Sequence, residues 1–509
     1  MSETVTRSEP LVRVPSWLRR PSSGGPHPIT ANLPVAAAWY AVGVVGLLLG
    51  IGDPAQAHER PILVLSCASL LFGLWVFWRH GGTRLTGIGI YNYAFALFVG
   101  FAGLHLLYFV DYAAEGSLMR ALAWCYFGHV TTWLLFWSGR SERPGTSERP
   151  ARAERPGTSE GPAGTEQPHG TERRGRAARP SVDPVPAVPW GVTWIGLALV
   201  VGAALASLKL DGSARHLGQA AGFVGAVLAA TGLLRDLRRP PLIGCLVAAG
   251  GFLVAFATSN SFARLTLGSL GLALTFVVAQ RLRTPLVKLA VVLGSAPMLF
   301  TFGVMRKEAV REAVPGVYVA SSTGLESVAS PLRDFGVLLD YYHAGLIEPH
   351  WGYTFWVAVV SLVPRSLWPG KPDGFGAELT KLLNPGLAQS GHSDAALFQG
   401  EWLFNFGIAG LILMIPVVGL AVRAVDSFLE WSTRRPLASR HALLACTTAI
   451  IVAAGLPDLM WVGTFTFAVR AGMRLLVLFA VWFLIFDRKA PAVAFGRRAP
   501  ATVFDRRGP

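Results

Sequence analysis

Long apolar runs recur along most of this chain and constrain its fold more than any other feature. Runs of about 18–25 residues match helices that cross a hydrocarbon core about 30 Å thick. Hydrophobic residues make up 52% of the 509 and charged residues only 15%, a balance unlike that of a soluble chain of this length. The sequence therefore predicts an all-α fold, a polytopic transmembrane helix bundle.

Twelve apolar runs are predicted to be membrane spans. They lie near 33–52, 61–78, 87–110, 119–137, 188–208, 216–234, 241–258, 262–280, 285–304, 402–422, 442–463 and 465–486. The apolar run 353–363 is too short to cross, so we expect it to be re-entrant or interfacial.

The spans divide the chain into seven predicted segments. They are a cytoplasmic N-terminal tail (1–32), four transmembrane helices (33–137), a cytoplasmic insert (138–187), five transmembrane helices (188–304), one large periplasmic loop (305–401) containing the segment 353–363, three transmembrane helices (402–486) and a basic cytoplasmic tail (487–509). The insert repeats Glu-Arg-Pro-Gly-Thr-Ser-Glu at 142–148 and 154–160, and its Pro, Gly and charge predict disorder. A tolerated loop expansion is favoured there over a docking arm.

Charge sets the predicted orientation. With both termini inside, about two thirds of the 45 Lys and Arg residues fall in inner segments, as the positive-inside rule requires. This predicts a multi-pass membrane protein with both termini in the cytoplasm. The net charge of +15 then reflects membrane orientation, and nucleic acid is not an expected partner. The four cysteines all lie in apolar runs without metal-type spacing, so no disulfide framework, metal or cofactor is predicted.

Polar residues interrupt the apolar pattern between Trp351 and Gly410. The pattern there is Pro364-Arg365-x-x-Trp368-Pro369-x-Lys371-Pro372, followed by Gly400-Glu401-x-x-x-Asn405-Phe406-Gly407-x-x-Gly410. With many spans and one large outer loop before the last few, this pattern resembles the O-antigen polysaccharide polymerase (Wzy-like) family, also called oligosaccharide repeat unit polymerases. The detailed resemblance covers 315–425, and the remainder agrees only in hydropathy.

The resemblance implies a metal-independent membrane glycosyltransferase at the periplasmic face of the bacterial inner membrane. It would join undecaprenyl-diphosphate-linked oligosaccharide repeat units into a cell-surface polysaccharide, an O-antigen or exopolysaccharide. The implied partners are these lipid-linked substrates, membrane lipids, a chain-length regulator and a flippase.

Basic residues on the outer side are the candidates for binding the diphosphate. Arginine can donate two charge-assisted hydrogen bonds to phosphate oxygens, and Arg365 follows directly on the dipping segment. Arg333 and Lys371 come next. The alternative for Arg365 and Lys371 is snorkelling to lipid phosphates. Arg470 and Arg474, four residues apart in the last span, would bind diphosphate together, snorkel, or pair with Asp458.

Glu401 is the first candidate for the proton acceptor, as a general base with a partly buried carboxyl group. The alternative is that it only complements a helix N-terminus. His343 is a second candidate base, ahead of His350 and His392.

Asn405, one turn after Glu401, could hydrogen-bond sugar. Trp368 and neighbouring aromatics could stack on sugar, although anchoring at the membrane interface is the commoner role.

Three other functions stay open. An O-antigen ligase-type transferase would use the same donor with another acceptor. A lipid-linked glycan transporter or flippase would have broken helices and an internal repeat, and no repeat between the two halves of the chain is visible. A scaffold for the biosynthetic complex would use the insert as its arm.

Overall fold

The computed structural model describes most of the chain between residues 28 and 486. The described ranges are 28–51, 58–109, 115–138, 190–209, 212–234, 240–258, 267–313, 325–361, 363, 367–390, 393–434 and 440–486. Within them the regular structure is helical, and no strand is present. The predicted N-terminal tail up to residue 27, the insert from 139 to 187, the C-terminal tail 487–509 and Arg365 lie outside the described residues. Residues 28–32, predicted as tail, are helical instead.

The first half of the bundle contains ten helices. They are α1 (Pro28–Leu48), α2 (Glu59–Arg79), α3 (Gly87–Phe95), α4 (Ala102–Phe109), α5 (Glu115–Thr132), α6 (Trp190–Lys209), α7 (Gly212–Leu234), α8 (Pro241–Thr258), α9 (Leu267–Arg281) and α10 (Pro285–Ala313). A π-helical segment, Ala96–Phe101, joins α3 to α4, and a second one, Trp133–Trp137, extends α5.

The second half contains six more helices. They are α11 (Glu326–His343), α12 (Tyr353–Val360), α13 (Phe375–Leu383), α14 (Leu397–Arg434), α15 (Arg440–Val462) and α16 (Thr464–Val481). Each of the twelve predicted spans coincides with one of the helices or with the α3–α4 pair. The helix α11 was not predicted, although its apolar residues recur every three or four positions.

Eight helical segments in the described ranges are long and apolar enough to cross a membrane. They are Ile29–Leu48, Glu59–Arg79, Gly87–Phe109, His216–Leu234, Pro241–Thr258, Leu397–Arg434, His441–Val462 and Thr464–Leu484. The apolar parts of α6, α9 and α10 are shorter, so the count of twelve stays a prediction. The eight residues of α12 rise only about 12 Å, in agreement with a segment that does not cross.

Two apolar cores hold the bundle together. The first lies among α1 to α5, α11, α13, α14 and the end of α15. The second lies among α7, α9, the end of α14, α15 and α16, with one side of α3. Since α14 and α15 contribute to both cores, they connect the two halves of the bundle.

One end of the bundle is organised around Lys288, whose side chain is 1% exposed. Its ammonium donates to the carbonyls of Phe77, Trp78 and His80 at 2.8, 3.1 and 2.7 Å. These carbonyls lie at the C-terminal end of α2, where no N–H of the helix is available to donate to them. Lys288 therefore ties the start of α10 to the end of α2. We call this the Lys288 end.

The opposite end of the bundle carries the turn between α15 and α16, and we call it the Gly463 end. Gly463 alone separates these two helices, at a φ of 92°. The short helix α12 packs against α16 here. The polar segment singled out in the sequence therefore lies at the Gly463 end.

Candidate functional site

A buried carboxyl group joins three helices at the Gly463 end. Glu401, in the first turns of α14, is 0% exposed. One carboxyl oxygen accepts from the Thr464 backbone N–H, and the other accepts from the Thr354 hydroxyl at 3.1 Å. Because Thr464 is the first residue of α16, Glu401 supplies the cap that Gly463 cannot supply. We call Glu401, Thr354, Asn405 and Thr464 the junction.

Asn405 completes the junction from the next turn of α14. Its amide nitrogen donates to the Thr354 hydroxyl at 2.6 Å and to the Glu401 carbonyl at 2.7 Å. Its amide oxygen accepts from the Thr354 backbone N–H at 3.1 Å. Both carboxyl oxygens of Glu401 and both the amide nitrogen and the amide oxygen of Asn405 thus have hydrogen-bond partners inside the protein, as buried polar groups require.

The two parts of the sequence pattern also meet through their backbones. His350 N–H donates to the Phe404 carbonyl at 3.1 Å, and Trp351 N–H donates to the Asn405 carbonyl at 2.7 Å. The His350 ring stacks on Phe404 with centroids 4.0 Å apart. These contacts fix the start of α12 against the first turns of α14.

Two glycines permit this close packing. Gly407 has φ 63° and ψ −153°, which breaks α14 into two segments, and a Cβ there would lie 2.3 Å from the Tyr342 hydroxyl oxygen. A Cβ at Gly463 would lie 2.6 Å from Glu401 Oε2. Both positions therefore need glycine for backbone conformation and for space.

A charged cluster lies farther along α16. Arg470 Nη1 donates to Asp458 Oδ1 of α15 at 2.8 Å, so the predicted pairing with Asp458 is observed for Arg470. The Arg474 guanidinium lies 4.1 Å from the Phe223 ring centroid of α7 and is 5% exposed. Neither Arg474 Nη1 nor Asp458 Oδ2 has a hydrogen-bond partner among the described residues. We call Asp458, Arg470 and Arg474 the charged trio, and its formal charge is +1.

Buried charges at this depth are costly unless they are paired or bind a ligand. Arg470 and Arg474 lie six and ten residues into α16, about 9 and 15 Å along its axis. Two guanidinium groups with one carboxylate leave a positive excess below the Gly463 end. An anion reaching this level would find guanidinium donors available.

The remaining basic candidates have partners within their own segments. Lys371 donates to the Ser361 and Val363 carbonyls, both at 2.9 Å, and so closes the C-terminal end of α12. Arg333 lies on α11 and pairs with its neighbour Asp334 at 2.8 Å. Neither contacts the junction through these bonds. Arg365 and His392 lie outside the described residues.

His343 ends α11 as an exposed residue. Its Nδ1 lies 2.7 Å from the Leu339 carbonyl. A carbonyl only accepts, so Nδ1 carries the hydrogen and Nε2 of the neutral ring is the acceptor. The neighbouring residue Tyr342 touches Gly407, which brings the end of α11 close to the break in α14. Trp368 is 39% exposed, beside α12.

The short helix α13 lies between the two halves of the pattern. Lys381 bonds Glu378 and Asp373 at 2.9 and 3.1 Å, and these hydrogen bonds raise the pKa of Lys381 above its ordinary value. All three are solvent-accessible, so the pairs contribute little to stability.

Sequence reasoning missed two junction residues, Thr354 and Thr464. A hydroxyl inside the apolar run 353–363 was the signal for Thr354. For Thr464 the signal was weaker, namely a Gly-Thr pair between two spans. The contact between Arg474 and Phe223 joins helices about 250 residues apart, and no local pattern indicates it.

These features define an all-helical membrane protein with a buried polar junction and a charged trio toward one end of its bundle. No known protein family, curated protein or solved structure matches the chain.

Proposed function

We propose that this protein is a membrane glycosyltransferase that polymerises undecaprenyl-diphosphate-linked oligosaccharide repeat units at the periplasmic face of a bacterial inner membrane. The observation that carries the proposal is the charged trio, whose two arginines lie on α16, the helix whose first residue is capped by Glu401. A positive excess beneath a polar junction suits a substrate with a diphosphate between its lipid and its glycan.

The proposed reaction transfers a glycan between two lipid-linked units. The bond between the anomeric carbon and the diphosphate oxygen breaks, and a bond forms between that carbon and an acceptor hydroxyl. Undecaprenyl diphosphate leaves with the bonding electrons, and the hydroxyl proton goes to a base. Arg470 and Arg474 stabilise the leaving diphosphate by charge-assisted hydrogen bonds.

For the proton acceptor the hydrogen bonds favour His343 over Glu401. His343 offers Nε2 at an exposed position, whereas both Glu401 oxygens already accept hydrogen bonds in the junction. We therefore assign Glu401 and Asn405 to positioning α12 and α16. Arg365, Arg333, Lys371 and Trp368 complete the proposed site as groups that hold diphosphate or sugar near the membrane surface.

Chain extension by purified protein in liposomes tests the proposal. The substrate is a synthetic undecaprenyl-diphosphate oligosaccharide, and the expected product is a ladder of longer glycans. Arg470→Ala and Arg474→Ala should each lower the rate at least 100-fold, about 2.7 kcal/mol of transition-state stabilisation. The control Arg434→Ala removes an exposed Arg434–Glu430 pair at the Lys288 end and should retain the wild-type rate. Wild-type protein that forms no ladder, or arginine variants that form a normal one, would overturn the proposal.

A lipid-linked glycan transporter is the second candidate, because the break of α14 at Gly407 is a feature of transporter helices. Movement of the lipid-linked unit across the liposome membrane without glycan joining would establish it. Transfer only to an acceptor that is not polyprenyl-linked would instead indicate a ligase-type enzyme.

A further inference from the structure

An elongated apolar cleft lies beside the charged trio. Its volume is about 330 Å³, and its walls come from α3, the π-helical segment, α8, α9, α10, α11 and α15. Along α10 it reaches from Ala290 to Leu299, about 14 Å of helix. A trough of this shape and composition suits one hydrocarbon chain more closely than a compact polar molecule.

The cleft lies next to helix faces that are open to the surrounding lipid. Phe252 of α8 and Gly294 of α10 line the cleft. Their sequence neighbours Leu253 and Leu293 are each 63% exposed. Large apolar side chains exposed at this level of a membrane protein face acyl chains. A hydrocarbon chain can therefore reach the cleft laterally, between α8 and α10.

One wall of the cleft is polar and belongs to the trio. Asp458 lines the cleft and is 8% exposed. Its Oδ1 binds Arg470 at 2.8 Å, while its Oδ2 has no hydrogen-bond partner among the described residues. An unsatisfied buried oxygen beside an open volume indicates a missing donor, such as a hydroxyl or a protonated phosphate oxygen.

Another wall of the cleft includes part of the π-helical segment Ala96–Phe101. Leu97 and Phe98 of this segment line the cleft, and Phe98 stacks on Trp461 of α15 with centroids 5.9 Å apart. A π-helical turn inserts an extra residue and widens the helix locally, and such turns are frequent at functional sites. The wide turn thus faces the cleft next to the helix that carries Asp458.

We propose that this cleft binds the hydrocarbon chain of the lipid-linked substrate, with the diphosphate directed toward Arg470 and Arg474. The net positive charge of the trio favours a lipid with an anionic head group. The single apolar cleft favours a lipid with one hydrocarbon chain. The identity of the lipid rests on the proposed function, whereas the location of the chain rests on the cleft itself.

Two glycine variants test this assignment in the purified full-length protein. Gly294 lines the cleft, and a Cβ built there meets no atom within 4 Å, so Gly294→Leu fills the cleft without a backbone clash. Gly250 of α8 also has open space around its Cβ and does not line the cleft. Gly250→Leu is therefore the matched control, with the same gain in helix propensity.

Native mass spectrometry with undecaprenyl diphosphate and with phosphatidylglycerol as probes measures binding. Gly294→Leu should bind undecaprenyl diphosphate at least tenfold more weakly than wild type, and Gly250→Leu should bind it normally. Unfolding temperatures establish that both variants fold. Undiminished undecaprenyl diphosphate binding by folded Gly294→Leu would overturn the proposal. So would a variant that binds phosphatidylglycerol more weakly but undecaprenyl diphosphate normally.

The same measurement separates this proposal from the proposed function. If wild-type protein forms no polymer but Gly294→Leu still loses undecaprenyl diphosphate binding, the chain site stands and the polymerase assignment is wrong. If wild-type protein forms polymer and Gly294→Leu binds normally, the polymerase assignment stands and the chain site is wrong.

Discussion

Removing the carboxyl group of Glu401 tests whether the junction holds the Gly463 end together. In Glu401→Ala the Thr464 N–H and the Thr354 O–H both lose their acceptor. Each buried donor left without a partner costs about 1–3 kcal/mol, so the free energy of unfolding should fall by about 2–6 kcal/mol. Glu401, Thr354 and Asn405 are each 0% exposed, so water cannot replace the lost acceptor without opening α12 or α16.

Glu401→Gln should behave differently from Glu401→Ala. The glutamine oxygen can accept from the Thr464 N–H, and its amide can donate to the Thr354 hydroxyl oxygen, but the Thr354 O–H then has no acceptor. The costs are this one unsatisfied donor, about 1–3 kcal/mol, and the lost charge at the α16 N-terminus, about 0.3–1 kcal/mol. The order of stability should therefore be wild type, then Gln, then Ala.

Unfolding in mixed detergent micelles, followed by intrinsic tryptophan fluorescence, measures these free energies. Glu378→Ala is the control, because Glu378 pairs with the half-exposed Lys381 and should change stability by less than about 1 kcal/mol. Wild-type stability of Glu401→Ala would refute the capping argument. If Glu401→Gln were fully stable but no longer joined glycans, Glu401 would be the general base.

Two further predictions concern the packing around these helices. Gly407→Ala should destabilise the protein by about 1–3 kcal/mol, since it combines a positive φ with a contact to Tyr342, and Gly250→Ala is its control in the same unfolding assay. Unchanged stability of Gly407→Ala would contradict the break in α14. Lys288→Met should lower the unfolding temperature strongly, because three carbonyls at the end of α2 lose their donor, while Lys381→Met should have little effect. Equal effects of these two lysine substitutions would contradict the role of Lys288 as the tie between α2 and α10.

The positions of the apolar helices could be read from the sequence because lipid imposes one simple requirement. A spanning segment must satisfy its own backbone and present apolar side chains over about 20 residues. That requirement is local, so runs such as 61–78 and 241–258 coincide closely with α2 and α8. The count of crossings is less accessible, since α9 and the apolar part of α10 are shorter than a full span.

The start of α14 shows where local reading fails. The sequence predicts a span from 402, with Glu401 at the very start of the apolar helix. The helix begins at Leu397, since Glu401 finds partners on α12 and α16, and these partners are distant in sequence. Tertiary hydrogen bonds thus allow polar residues into a helix that hydropathy alone would end.

The candidate site was predictable in its components but not in its arrangement. Glu401 and Asn405 were singled out together, and both lie in the junction. For Arg470 and Arg474 the sequence left open joint diphosphate binding, snorkelling and pairing with Asp458. Arg470 pairs with Asp458, whereas Arg474 stacks on Phe223. Four residues of helix place two side chains near one face, but the surrounding helices decide what each one contacts.

The helix α16 links the junction, the charged trio and the cleft. Its first N–H is held by Glu401, and Arg470 and Arg474 follow about 9 and 15 Å along the same rigid helix. Any loosening at Thr464 therefore shifts both guanidinium groups and, through Arg470, the Asp458 side chain in the cleft wall. A conservative change at Glu401 should for this reason weaken the binding of undecaprenyl diphosphate even though Glu401 touches neither the chain nor the diphosphate. The cap that Glu401 forms at the Gly463 turn thus sets the positions of Arg470 and Arg474 inside the membrane.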